Sequence, residues 1–279
     1  MVKKHKTQEM IERLGAKRGF ICDMDGVIYK GDMLLPGVKE FVEWLNANEK
    51  QFLFLTNASG RSPLELRQKL LRMGLDVAVE HFYTSALATA KFLASQSPGC
   101  TAYIIGGPGL QNALYDAGIG HNDINPDYVV IGETNSYTYD TILRATTHVL
   151  GGAKLIGTNP DITGPSEEGL IPAGKALVAP VEIATGCAAY FIGKPNPLMM
   201  RTGLRMLGVH SEEAVMIGDR MDTDIIAGIE TGIETVLVLT GVTRRSDLKK
   251  FPYSPNYILS GVGNIVGYRH KNRDDGFAD

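Results

Sequence analysis

The stretch RGFICDMDGVIYKGD, residues Arg18 to Asp32, combines a strand-like apolar run with two closely spaced aspartates. Its apolar run FIC ends in two aspartates, Asp23 and Asp25, and Gly26 follows at once. Two carboxylates at the end of a buried strand are costly to remove from water unless a cation or a positive side chain neutralises them. The pair therefore predicts a strand end that needs a positive partner.

Strand-like and helical segments alternate from this stretch onward. PGVKEFVEWLNANE, residues 36–49, places Val38, Phe41, Val42 and Leu45 on one helical face. QFLFLTN, residues 51–57, is a continuous apolar run that is typical of a strand buried on both faces. The order strand, helix, strand, helix predicts an α/β fold with parallel strands and covering helices. The pattern continues far enough along the chain to favour two sheets over one.

The next helical segment carries its own start signal. In SPLELRQKLLRMG, residues 62–74, Ser62 is a predicted N-cap and Pro63 occupies the first helical position. Gly74 is placed where glycine commonly ends a helix.

The composition indicates an ordinary folded protein. Of the 279 residues, 44% are hydrophobic and 21% are charged, and the net charge of −3 gives no indication of nucleic acid or a membrane surface as a partner. Cys22, Cys100 and Cys187 are scattered without zinc-site spacing, which predicts three core residues in a reducing compartment. The first residues have no apolar stretch typical of a signal peptide, so we expect a cytoplasmic location.

Polar side chains follow four of the predicted strands. In a parallel sheet, ligands bind outside the carboxyl ends of the strands, so these side chains could build one site. Each alone has an ordinary explanation as a turn residue, a helix cap or a solvated lysine. Their joint occurrence in this order favours a functional site, and its members are Asp23, Asp25, Thr56, Asn57, Lys194, Asp219 and Asp224.

These residue types suit phosphoryl transfer. A divalent cation between Asp23 and Asp219, together with the ammonium of Lys194, would neutralise the carboxylates. Mg²⁺ takes carboxylate oxygens and is usually shared with a substrate phosphate. One aspartate can form an aspartyl-phosphate, and a second carboxylate can protonate the leaving group and then activate water. A threonine hydroxyl and a lysine ammonium can hold the phosphoryl oxygens.

A glycine-rich segment offers a competing interpretation. IIGGPGLQNALYDAG, residues 104–118, has the order strand, glycine turn, helix that is typical of dinucleotide sites. Asn112 stands where the fingerprint needs its last glycine, and Pro108 removes a backbone N–H that would bind phosphate. We therefore expect these glycines to serve only as a helix lead-in.

The chain resembles a known superfamily at its four polar strand ends. DMDGV, LTN, GKP and GDRMDTD resemble the ordered motifs of the haloacid dehalogenase (HAD) phosphatases. Longer stretches, among them INPDYVVIGETNSY and HSEEAVMIGDRMDTDIIAGIETG, are similar to the NagD-type subfamily of ribonucleotide monophosphatases. The resemblance extends from about Phe20 to Val242. It implies a Rossmann-like, doubly wound parallel-sheet core at residues 1–80 and 188–279, with an inserted α/β cap domain at residues 81–187.

The resemblance also implies roles on the metal side of the site. Asp23 would be the nucleophile and a ligand of Mg²⁺. Asp25 would be the general acid and base, with its backbone carbonyl on the metal. Asp219 would be a further metal ligand, and Asp224 would support it without touching the metal.

On the substrate side, the resemblance implies that Thr56 and Asn57 bind the transferred phosphoryl group. Lys194 would hold both the nucleophile and the phosphate, as a catalytic and substrate-binding residue. The cap segment GTNPDIT, residues 157–163, is similar to the family's specificity loop, and it makes Asn159 and Asp161 candidates for contact with the substrate. An Asx turn at Asn159 and Pro160 is an equally good explanation of that segment.

The expected activity is that of a magnesium-dependent phosphatase acting on a small phosphorylated metabolite, with nucleoside monophosphates as the first expectation. Pyridoxal phosphate, phosphoglycolate, glycerol phosphate or a sugar phosphate are alternative substrates, and a non-catalytic phosphometabolite-binding protein is an alternative of another class. Departures from the family at Cys187 and Arg220 bear on substrate preference rather than on the reaction. Family members can form dimers or tetramers through the cap, so the resemblance is compatible with a homo-oligomer.

Overall fold

A computed structural model gives the structure of residues 2–166 and 169–268. The chain forms two compact units. The first unit comprises Met1–Phe52 and Val209–Asp279, and the second comprises Leu53–Gly208. No helix within the described ranges is long and apolar enough to cross a membrane.

The strands and helices alternate as the sequence predicts. The strands in chain order are β1 (Gly19–Cys22), β2 (Tyr29–Lys30), β3 (Met33–Leu34), β4 (Gln51–Thr56), β5 (Phe82–Thr84), β6 (Thr101–Ile105), β7 (Gly120–His121), β8 (Tyr128–Ile131), β9 (Lys154–Gly157), β10 (Thr163–Ser166), β11 (Gly169–Pro172), β12 (Tyr190–Phe191), β13 (Ala214–Gly218), β14 (Glu234–Val238) and β15 (Tyr257–Leu259). The α-helices are α1 (Val2–Gly15), α2 (Val38–Ala47), α3 (Pro63–Arg72), α4 (Ser85–Gln96), α5 (Pro108–Asp116), α6 (Tyr139–Leu150), α7 (Gly174–Thr185), α8 (Pro197–Leu207) and α9 (Ile226–Glu230).

The first unit is built on parallel strands in the order β15-β14-β13-β1. Helix α2 buries the four residues of its predicted apolar face, Val38, Phe41, Val42 and Leu45. The ring of Phe41 makes an edge-on contact with Phe20 of β1, at 6.0 Å between centroids. Every residue of β1 is buried, so the strand that carries Asp23 is fixed by packing as well as by hydrogen bonds.

The second unit contains a five-stranded parallel sheet in the order β12-β9-β8-β6-β7. Residues of α6 and α7, among them Val149 and Val178, share one buried cluster with residues of this sheet, among them Val129 and Leu155. Strands β4 and β5 pair in parallel, and β10 and β11 form an antiparallel hairpin. Strand β4 starts in the first unit at Gln51 and ends in the second at Thr56.

Several local predictions are confirmed, and one is wrong. Ser62 caps α3 in a capping box with Glu65, and Pro63 is the first residue of that helix. Cys22 and Cys100 are buried as predicted, but Cys187 is exposed. Cys187 follows the C-cap of α7 and lies in the segment between α7 and β12.

The second compact unit includes residues 53–80 as well as the segment predicted as the cap. The loop after β4 is bonded to the region predicted as the cap: Gly109 donates its backbone N–H to the carbonyl of Gly60 at 3.1 Å. Contacts of this kind join residues 53–80 to the segment that follows them. The cap at residues 81–187 stays a prediction.

Candidate active site

Three buried carboxylates lie together in the first unit. Asp23 follows β1 directly and Asp219 follows β13, and these two strands are parallel neighbours with Cys22 opposite Ile217. Both aspartates therefore leave the sheet at the same end. One carboxylate oxygen from each of Asp23, Asp219 and Asp224 lies within 4.8 Å of the others. The structure thus brings together residues separated by almost two hundred positions in the sequence.

Asp224 supports the backbone beneath Asp219. Its Oδ2 atom accepts hydrogen bonds from the N–H of Asp219, at 3.2 Å, and from the N–H of Arg220, at 3.1 Å. The segment Met221–Ile225 forms a π-helical turn before α9, which is a wider turn than an α-helix provides. This turn directs Asp224 back toward the strand end, in agreement with a supporting role.

The carboxylate of Asp219 is held from the opposite side by the chain after β14. Its Oδ2 atom accepts the backbone N–H of Val242 at 2.6 Å, and its carbonyl accepts the N–H of Thr243 at 3.1 Å. Gly241 passes so close that a Cβ atom there would overlap this carboxylate, and a Cβ on Gly26 would lie 2.7 Å from its Oδ2 atom. Only glycine fits at these two approaches.

The residues of this cluster fit Mg²⁺. All the side-chain donors are carboxylate oxygens, which a hard divalent cation prefers. Asp23 is 8% exposed, Asp219 2% and Asp224 0%, so little water screens their mutual repulsion. A cation bound among them would offset that repulsion.

Asp25 lies in the tight turn that follows β1. Gly26, at φ 77°, donates its N–H to the carbonyl of Tyr29 at 2.8 Å, and Thr240 Oγ1 donates to the carbonyl of Gly26. Asp25 is partly exposed, and its side chain is outside the buried group of three. Its expected roles, as general acid and base and as a metal ligand through its backbone carbonyl, stay predictions.

In the second unit, Asn57 fixes Lys194 through its backbone. Asn57 Oδ1 accepts the N–H of Lys194 at 2.7 Å, and Asn57 Nδ2 donates to the carbonyl of Lys194 at 3.0 Å. The side chain of Lys194 is 1% exposed, and its Nζ donates to the carbonyl of Leu55 at 3.2 Å. Thr56 ends β4, and its Oγ1 accepts the N–H of Ala58 at 3.1 Å. Asn57 and Lys194 are thus in direct contact beside Thr56, and the binding of a phosphoryl group by these three residues stays a prediction.

The predicted specificity loop is hydrogen-bonded to Asn57. Asp161 Oδ2 accepts a hydrogen bond from Asn57 Nδ2 at 3.0 Å. Asn159 is 0% exposed, and its Oδ1 accepts the N–H of Asp161 at 3.1 Å, which forms the Asx turn. The structural explanation of Asn159 is therefore confirmed, while contact of Asn159 or Asp161 with a substrate stays a prediction.

Glu133 is a site residue that the sequence analysis did not single out. Its Oε2 atom accepts the N–H of Ser59 at 2.7 Å and the Ser59 hydroxyl at 3.1 Å, and its Oε1 accepts Asn159 Nδ2 at 3.0 Å. Burial raises the pKa of Glu133 above its ordinary value, because the charged form loses water. The sequence contained a signal for this residue: Glu133 comes just after the carboxyl end of β8, as Asp219 comes just after that of β13.

The glycine-rich turn before α5 is used for packing. Gly107 donates its N–H to the carbonyl of Glu133 at 2.9 Å. A Cβ on Gly109 would lie 2.7 Å from the backbone nitrogen of Arg61, so glycine permits α5 to approach the loop after β4. The expectation that these glycines lead into a helix is confirmed, since α5 begins at Pro108.

Comparison with known proteins identifies the family. The profile of the haloacid dehalogenase-like hydrolases matches residues 20–120, and a HAD-hydrolase-like profile matches residues 191–265. A dihydroxyacetone phosphatase of Corynebacterium glutamicum is 44% identical over 247 residues, which is 88% of this chain and 90% of that protein. An acid sugar phosphatase of Staphylococcus epidermidis is 42% identical over 255 residues, 91% of this chain and 98% of that protein.

The solved structure of NagD from E. coli K-12 superposes with a TM-score of 0.84 at 39% identity, and covers 89% of this chain and 98% of that one. The predicted fold class, a Rossmann-like HAD core with an α/β cap, is confirmed by this similarity. Enzymatic hydrolysis of phosphomonoesters is likewise supported by the phosphatase relatives. The chain therefore belongs to the haloacid dehalogenase superfamily and, within it, to the NagD-type phosphatases.

Proposed function

We propose that this phosphatase is magnesium-dependent and acts through an aspartyl-phosphate on Asp23, with Asp25 as general acid and base. The observation that supports the proposal most strongly is the buried group of Asp23, Asp219 and Asp224, with ligand atoms within 4.8 Å of one another. Three buried carboxylates are costly without a cation. Glycines at positions 26 and 241 leave no room for a side chain beside Asp219.

Asp23, Asp219 and the backbone carbonyl of Asp25 would hold Mg²⁺, whose charge offsets that of the carboxylates and of the substrate phosphate. Asp23 attacks phosphorus, and the bond from phosphorus to the leaving oxygen breaks as Asp25 gives that oxygen its proton. Asp25 then takes a proton from water, which attacks the aspartyl-phosphate and releases inorganic phosphate. Both carboxylates return to their starting states.

The phosphoryl group would be held by Thr56, Asn57 and Lys194. The ammonium of Lys194 offers a positive charge to the phosphoryl oxygens, where charge accumulates in the transition state. The bonds from Asn57 fix the backbone of Lys194, and the ammonium itself donates to the carbonyl of Leu55 at 3.2 Å. Fixed donors of this kind need no rearrangement during the reaction.

Two substrate classes have specific support. Dihydroxyacetone phosphate and acid sugar phosphates are favoured by the names of relatives that are 44% and 42% identical over most of the chain. Nucleoside monophosphates are favoured by the resemblance of the cap segments to the NagD subfamily. We place the triose and sugar phosphates first, because the identity with those relatives includes the region predicted as the cap.

Phosphate release from a panel of monoesters tests the proposal. The panel contains dihydroxyacetone phosphate, sugar phosphates, glycerol phosphate, phosphoglycolate, pyridoxal phosphate, and uridine and guanosine monophosphates. We expect release that requires Mg²⁺ and stops with chelator, and none from Asp23→Asn at any metal concentration. Asp127→Asn is a control, since Asp127 is an exposed carboxylate that accepts the backbone N–H and the hydroxyl of Thr101.

The outcomes separate the alternatives. Release that persists in chelator would contradict magnesium dependence, and normal turnover by Asp23→Asn would contradict the covalent mechanism. Folded protein that binds phosphate but hydrolyses no ester would favour the phosphometabolite-binding alternative.

A further inference from the structure

A buried hydrogen-bond chain in the second unit connects Glu133 to Asn57. Glu133 Oε1 accepts a bond from Asn159 Nδ2 at 3.0 Å, and the same nitrogen donates to the carbonyl of Asn57 at 2.8 Å. Glu133 Oε2 accepts the N–H of Ser59, two residues after Asn57, at 2.7 Å. The carboxylate thus holds the segment Asn57–Ser59 at both of its ends.

The direction of these bonds suits an ionised carboxylate, which accepts at both oxygens. The Ser59 hydroxyl oxygen already accepts the N–H of Glu133 at 3.1 Å and the hydroxyl of Thr158 at 3.2 Å, so its own proton is available to Glu133. The Ser59 backbone N–H, the Ser59 hydroxyl and the Asn159 amide all donate to this carboxylate. A glutamine of the same size would turn its NH₂ group toward one of these donors. The site therefore selects for charge as well as for shape.

We propose that Glu133 is a positioning residue, whose ionised carboxylate fixes Asn57 and, through Asn57, the backbone of Lys194 in the geometry that binds a phosphoryl group. The inference rests on the proposed function, which gives Asn57 and Lys194 their contact with phosphate. Asn57 holds both the N–H and the carbonyl of Lys194, at 2.7 and 3.0 Å. A shift of Asn57 would therefore displace Lys194.

The network is sensitive to pH for a physical reason. Burial is the largest influence on the pKa of Glu133 and raises it. The hydrogen bonds from Ser59 and Asn159 lower that pKa by a smaller amount. The nearby carboxylate of Asp161 raises the pKa further. Asp161 is the charged group facing Glu133 among the described residues. Protonation of Glu133 removes acceptors that the three donors need, and a raised pKa places this event at higher pH than in an exposed glutamate. We expect phosphate affinity to fall as the pH falls through that value.

Binding of inorganic phosphate by the full chain in Mg²⁺ tests the proposal, measured by calorimetry from acid to neutral pH. We expect Glu133→Gln to bind phosphate about tenfold or more weakly at neutral pH, as for a lost bond to a charged group. The ratio of wild-type to Glu133→Gln affinity should approach one at acid pH, since the wild-type residue is then also neutral. Affinity for Mg²⁺ without phosphate should be unchanged. The matched control is Asp127→Asn, which also removes a carboxylate bonded to a backbone N–H and a hydroxyl of one residue.

Phosphate affinity equal to that of the wild type in a folded Glu133→Gln variant would overturn the proposal. A ratio of wild-type to variant phosphate affinity that does not change with pH would also overturn it.

If that variant does not fold, the side-chain amide signal of Asn159 in ¹⁵N-asparagine-labelled wild-type protein gives a second measurement. That signal should shift as Glu133 is protonated, and Ser59→Ala should move the transition to higher pH, because it removes a donor that favours the anion. An Asn159 signal that does not titrate would contradict the proposal. Failure of the wild-type chain to hydrolyse any ester would defeat the proposed function alone, since neither measurement needs turnover.

Discussion

The Oδ2 atom of Asp224 accepts a hydrogen bond from the backbone N–H of Asp219, at 3.2 Å. The same oxygen accepts the N–H of Arg220 at 3.1 Å, so one buried carboxylate oxygen satisfies two donors at the end of β13. A buried N–H without an acceptor is unfavourable, and loss of the Asp224 carboxylate would leave two such groups. Asp224 therefore determines the backbone conformation from which Asp219 projects.

Substitutions of Asp224 should separate its charge from its hydrogen bonds. Asp224→Asn keeps an oxygen for both N–H groups and removes one of three neighbouring charges, so stability in chelator should be unchanged or raised while Mg²⁺ affinity falls. Asp224→Ala loses both bonds and should lower the free energy of unfolding by about 1–3 kcal/mol. Urea unfolding in chelator and calorimetric Mg²⁺ titration measure the two effects. Equal stability of the two variants in chelator would contradict the role of the bonds.

Gly241→Ala should disable the metal site while leaving most of the fold intact. A Cβ at this position would overlap the carboxylate of Asp219, so the carboxylate must move away from the site. We expect loss of Mg²⁺ affinity and of turnover. Gly120→Ala is the matched control, because a Cβ on Gly120 meets nothing within 4 Å. Normal metal affinity in Gly241→Ala would show that Asp219 is not a ligand.

Lys194→Met and Lys194→Ala should distinguish the charge of the lysine from its volume. Lys194 is 1% exposed, so Ala leaves a cavity and should cost about 2–5 kcal/mol of stability, whereas Met fills most of the space. Both variants should lose phosphate binding, because both lack the ammonium. Thermal unfolding and phosphate titration provide the comparison. Phosphate affinity that is retained in the methionine variant would contradict the role of the positive charge.

Thiol labelling should distinguish the three cysteines. Burial, followed by the nearby charge of Asp23, raises the pKa of Cys22, so this thiol stays protonated at neutral pH and is covered as well. Cys187 is exposed and should react first with iodoacetamide in native protein, identified by peptide mass. Cys187→Ser should abolish the fast phase of labelling. Rapid native labelling of Cys22 would contradict its burial beside the site.

Local sequence patterns were enough to predict the elements and the chemistry at the strand ends. Local rules sufficed for these: the periodic apolar face of α2, the Ser62 cap of α3, and the aspartates that follow β1 and β13. The family motifs added the expected roles, including those of Asp25 and Thr56, which stay proposals. The cytoplasmic location also stays a prediction.

The contacts between distant residues depend on how the whole chain folds. The approach of Gly241 to Asp219, the hold of Asn57 on Lys194, and the bonds of Glu133 to Ser59 and Asn159 each join segments far apart in the chain. Local patterns carry no information on such pairs, because strand order and loop packing set these distances. Exposure of Cys187 was unpredictable for the same reason, since burial depends on what the rest of the chain places over a residue.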